Sequence, residues 1–175
     1  MSRSTLGSFL LFQAGWWANV FAAQAGLGAL GLLAGAVVAG LQLGLFSAQP
    51  RAEAPALLAV AALGASLDAA LAQAGVLALI APQSGALPLW LLGMWLAFAS
   101  TLPRSFAGLM APGRAGVAAL VGGLGFPLAY LPGEGLGVLR FGEAAWAAPA
   151  FGLAWALGFP ALLFAHARLT RRADY

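Results

Sequence analysis

The chain has no cysteine and no lysine, and a single histidine among its 175 residues. Without cysteine, disulfides, thiolate metal sites and cysteine nucleophiles are excluded. Charge is scarce too: charged side chains make up 7% of the residues, against 62% hydrophobic ones. A soluble domain of this size has no need of so much apolar material to fill a core. There is no metal-ligand spacing, nucleophile elbow, phosphate loop or dinucleotide fingerprint, so no metal and no cofactor are expected. The arginines form no cluster interleaved with aromatics, which argues against nucleic acid as a partner.

What the chain has instead is long apolar runs. Six can be marked, near residues 6–25, 27–46, 56–81, 88–110, 115–131 and 144–167, each bounded by turn-forming or charged residues. A span takes roughly 20 residues to cross a core about 30 Å thick, so six leave about 55 residues for connections and tails. The expected fold is therefore an all-α polytopic transmembrane bundle, a single membrane domain over residues 1–175, with connections too short for anything but turns. The run at 115–131 is the weakest, because Gly122, Gly123, Gly125 and Pro127 would also suit a re-entrant segment.

The arginines orient the chain. With both termini in the cytoplasm, Arg3, Arg51, Arg104, Arg114, Arg168, Arg171 and Arg172 fall inside and only Arg140 outside, a strong positive-inside bias. A five-span chain would send the last three arginines outward, so six spans are expected. Trp90, Tyr130 and Trp146 then fall near the outer interface, where amphipathic rings are favoured. Ala23-Gln24-Ala25 imitates a signal-peptide cleavage site, but Gln13, Trp16, Trp17 and Asn19 spoil the apolar core of such a signal, so the segment is expected to stay as a span.

Asp68 is the most informative side chain, near the middle of the third run, where an acid costs on the order of 2.5–3.5 kcal/mol to insert. Gly64, Asp68, Ala72 and Gly75 share one helical face, and small neighbours let another helix approach closely, so Asp68 is expected to face the bundle. It is read either as a proton-titrating or substrate-binding carboxylate or as a clamp between helices. Its expected partners are Gln13, Asn19, Thr101 or Arg104. In the first run Gln13, Trp16, Trp17, Val20 and Gln24 draw a stripe with Asn19 beside it, suited to packing or to lining a cavity. In the fourth, Pro103 should free the carbonyl of Ala99 for Thr101, a water or Arg104, with Ser105 alongside. Arg104 is expected to snorkel to headgroups, and His166 to sit at the interface. Gly31-x-x-x-Gly35 and Gly40-x-x-x-Gly44 read as helix-packing motifs.

Four segments carry a resemblance: FQAGWWANV at Phe12 to Val20, SLDAAL at Ser66 to Leu71, PLWLLGMWLAFASTLPRS at Pro88 to Ser105, and GFPLAYLPGEGLG at Gly125 to Gly137. Together they resemble a family of bacterial inner-membrane proteins known as domain of unknown function 2878. Gly135 stands where the resemblance would put a basic residue, and no tryptophan lies near Gly108. The resemblance implies a multi-pass inner-membrane protein in a membrane-lipid or envelope-stress setting.

Three functions follow in order of expectation. The first is a small accessory membrane protein that binds a lipid or a membrane-protein partner, or pairs with its own copies. The second is a small proton-coupled transporter using Asp68. The third is a membrane-embedded lipid-modifying enzyme, which would ordinarily show more converging acid, base or metal-binding groups than one buried acid and one histidine. The polar set carried forward is Asp68, Gln13, Trp16, Trp17, Asn19, Thr101, Arg104, Ser105 and Tyr130.

Overall fold

A computed structural model describes residues 3–81 and 87–172. The described residues form six α-helices: α1 Arg3–Gln24, α2 Gly28–Phe46, α3 Pro50–Gln73, α4 Leu89–Ser105, α5 Ala115–Gly135 and α6 Ala147–Arg172. Four of them, α2, α3, α5 and α6, are long and apolar enough to cross a membrane. Large apolar side chains face outward along them, Leu33, Leu63, Leu124 and Leu157 among these, a surface that water would not tolerate and lipid would.

The sequence boundaries shift most at the third run. Its helix starts at Pro50, which suits a first helical position, with Glu53 in the first turn favouring the helix dipole. It stops at Gln73, not at Ala81, because Gly75 takes a left-handed conformation (φ 73°) and Val76 N–H closes back onto the Leu71 carbonyl. Asp68 therefore lies five positions from the helix end, roughly 7–8 Å along the axis, and not at its middle. The fifth run gives a full 21-residue helix, α5, which ends the same way before Gly137.

After those two glycines the chain makes strands where only turns were expected. β1 (Leu77–Leu79) pairs antiparallel with β2 (Leu139–Phe141) in the register Leu77 to Phe141 and Leu79 to Leu139. Leu77, Val138 and Leu139 are buried, so the ribbon plugs one end of the bundle. The expected PQSGA connection, residues 82–86, lies outside the described residues.

Helix α4 is the axis of the bundle and packs on α1, α2 and α3, while α3 packs on α6 and α6 on α5. Glycine makes the closest crossing. A methyl on Gly35 would collide with the Gly93 backbone, and one on Gly93 with the Gly31 carbonyl, so α2 and α4 meet backbone to backbone. Gly31 and Gly35 are thus packing residues as expected. Gly40 and Gly44 are not, since nothing lies within 4 Å of where their methyl groups would stand.

Candidate functional site

Two polar centres occupy opposite ends of the bundle. Near the ribbon, Asp68 is fully buried and its Oδ2 accepts two hydrogen bonds, from Trp95 Nε1 at 2.8 Å and from the Tyr130 hydroxyl at 2.5 Å. Gly64, one turn before Asp68, makes the Trp95 bond available: a methyl there would fall inside the Trp95 ring. Trp95 stacks on Trp155 at 5.0 Å, and Trp155 on Phe126 at 4.1 Å, which closes an aromatic wall behind the carboxylate. The Trp155 indole also faces Asp68 without completing a hydrogen bond, leaving Asp68 Oδ1 and Trp155 Nε1 both unpaired.

The partners expected for Asp68 are thereby corrected. Gln13, Asn19, Thr101 and Arg104 do not bond it. Asn19 is buried where α1, α2 and α4 cross, its Nδ2 donating to the Gly15 carbonyl of its own helix. Thr101 donates to Phe98 O, and Arg104 Nη1 to Ser100 O, so neither bonds the Ala99 carbonyl that Pro103 leaves free. Ser105 is exposed at the end of α4. Trp95 was overlooked, although a buried indole needs an acceptor and Asp68 is among the few side chains that could supply one. Trp90 and Tyr130, expected with Trp146 near the outer interface, are buried against neighbouring helices, while Trp146 is 56% exposed.

The second centre is an ion pair between Arg104 and Glu53, 2.7 Å apart, with side chains only 9% and 15% exposed. Arg104 Nε also donates to the Phe46 carbonyl, so the guanidinium ties α4 to the ends of α2 and α3 and does not snorkel. His166 is 3% exposed and within electrostatic reach of both charges, so it is a buried neighbour of the pair.

Between the centres lies a cavity of about 360 Å³. One wall is α1, through Gln13, Trp16, Trp17 and Val20 of the stripe that the sequence spacing draws, joined by Phe12. The facing wall is α5, through Gly125, Phe126, Ala129 and Tyr130, and α4 supplies the floor with Trp95 and Phe98. α1 and α5 flank this space without forming a closely packed pair, and Trp17, 42% exposed, and exposed Gly125 stand at its mouth. Leu139 of the ribbon roofs it, and Gln24 Nε2 reaches over from α1 to the Leu136 carbonyl to close the top. The cavity is thus roofed at the ribbon end, with Trp17 and Gly125 leaving it open between α1 and α5.

Of the nine sequence candidates, the structure brings Gln13, Trp16, Trp17 and Tyr130 to this cavity, with Asp68 directly behind Tyr130. Asn19, Thr101, Arg104 and Ser105 serve elsewhere. Gln13 is half-buried and makes no hydrogen bond within the described residues, so its amide is free for a guest. The described residues hold no group of three or more His, Cys, Asp or Glu that could bind a metal ion.

The chain matches the family described as "Protein of unknown function (DUF2878)" over residues 5–161, and it belongs to that family. No curated protein and no solved structure matches it.

Proposed function

We propose that this member of the DUF2878 family is a six-span protein of the bacterial inner membrane, both termini cytoplasmic, that holds a membrane amphiphile in the α1–α5 cavity as an accessory of lipid or envelope-stress metabolism. The observation that carries the reading is the cavity itself, walled by aromatic rings and open sideways between helices. A volume of about 360 Å³ lies within the range of small-molecule sites, roughly 300–1,000 Å³. Its walls suit hydrocarbon, and Gln13 and Tyr130 among its lining side chains suit a headgroup. The orientation rests on the arginines: the end bearing the Arg104–Glu53 pair also receives the α2–α3 and α4–α5 connections, with Arg51 and Arg114.

Extraction tests it. Protein purified in mild detergent should carry a lipid species enriched over its abundance in the source membrane, detected by mass spectrometry. Gly125→Phe, which fills the mouth at a position with nothing packed closely against it, should lose that species while remaining folded. Identical lipid profiles for the two proteins would sink the proposal.

Proton-coupled transport is a second reading, favoured by the unpaired Asp68 Oδ1 beside the cavity wall. If it holds, Asp68→Asn at matched expression fails to complement a deletion strain, because an amide exchanges no proton at physiological pH. Full complementation by that variant would remove it.

A further inference from the structure

The carboxylate behind the cavity has no counter-charge of its own. Among the described residues, Glu53 is paired with Arg104 and Glu143 with Arg140 at 3.5 Å, while Glu134, at the end of α5, accepts only the Phe141 N–H at 3.3 Å. Asp68 has only neutral donors around it, Trp95 and Tyr130 bonded to Oδ2 and the Trp155 indole facing it, and no arginine lines the cavity that Trp95 and Tyr130 border. A buried ion without a partner is costly, and a cation brought close to it recovers part of that cost.

The rings are arranged to accept such a cation. Trp95 and Tyr130 both donate their polar hydrogen to Asp68 Oδ2, which pushes electron density back into the indole and the phenol. Both rings line the cavity, in company with Trp16, Phe98 and Phe126. Aromatic faces attract cations within about 6 Å, by roughly 2 kcal/mol or more once water is excluded. The Tyr130 hydrogen is committed to Asp68, so toward the cavity its oxygen can only accept, again favouring a positive or donor-bearing guest. Gln13 lines the opposite wall with an amide whose oxygen is able to accept.

From this we infer that the cavity selects an amphiphile with a positively charged nitrogen, an ammonium head on a hydrocarbon body, seated against Trp95 and Tyr130 with Asp68 as its counter-ion. The inference rests on the cavity being a binding site, as proposed above, and adds the charge of the occupant.

The test compares three probes of equal chain length in neutral maltoside micelles: decyltrimethylammonium, whose charge is independent of pH, decanol and decanoate. Binding is read from intrinsic tryptophan fluorescence, with Gly125→Phe as the blocked reference. The wild-type protein should bind the ammonium at least tenfold more tightly than decanol, and decanoate more weakly than either. In Asp68→Asn the ammonium and decanol affinities should converge to within twofold. Tyr130→Phe, which keeps the carboxylate but removes the hydroxyl between it and the guest, should cut the preference at least threefold, and it decides the matter if Asp68→Asn fails to fold. Equal affinities for ammonium and decanol in the wild type, both lost in Gly125→Phe, would overturn the charge assignment and leave the cavity reading intact. No binding of any probe, or binding that survives Gly125→Phe, would overturn both.

Discussion

One oxygen of Asp68 carries two hydrogen bonds and the other carries none, and that asymmetry separates its substitutions. In Asp68→Asn the amide oxygen can keep both donors, so unfolding in detergent should shift by less than about 1 kcal/mol. Asp68→Leu leaves Trp95 Nε1 and the Tyr130 hydroxyl buried without acceptors and should cost about 1–3 kcal/mol in the same assay. Gly64→Ala should be as harmful from the opposite side, about 1–3 kcal/mol, because its methyl has no room beside the Trp95 ring. Loss of the Trp95 contribution to near-ultraviolet circular dichroism would accompany it, and an unchanged spectrum would contradict the contact. The sequence made Asp68 and the α1 stripe legible, since one acid in an apolar run and a helical spacing are both local signals. It did not reveal the partners, because which rings reach Asp68 depends on how α3, α4 and α5 sit against one another, and no spacing within a single helix records that.

Two glycine pairs of identical spacing behave differently once helices pack. Gly35 lies against the Gly93 backbone, so Gly35→Ala should force α2 away from α4 and lower stability by about 1–3 kcal/mol. Gly40→Ala and Gly44→Ala meet open space and should be neutral, or gain up to about 1 kcal/mol each from the better helix propensity of alanine. Melting all three variants side by side checks this, and equal losses would mean that the outer pair packs as well. The helices were legible because apolar length is what a bilayer demands, and five of the six runs began within a few residues of their helices. The third was misjudged because Val76–Ala81 is as apolar as the helix before it. Only the left-handed glycine at position 75 marks the change, and apolar strand and apolar helix look alike over so short a stretch.

At the scale of the whole molecule, the arginine distribution predicts that a reporter active only in the periplasm gives no signal when fused after Tyr175 and a strong one at Gln83. A bright signal at the C-terminus would exclude the six-span orientation. The β1–β2 ribbon was beyond the sequence, since strands of three residues inside connections carry no period to read. It also has a bearing on biogenesis. β1 is made before α4 and α5, and its partner β2 only after them, so the nascent chain must carry an unpaired strand edge while two more helices are inserted. Asp68 meets Trp95 when α4 arrives but waits for Tyr130 until α5 follows. The roof of the cavity therefore forms only after the α1, α4 and α5 walls have been made, with α6 and its Phe159 still to follow, and a chain stalled before residue 139 would have neither a closed top nor a ribbon to hold it shut.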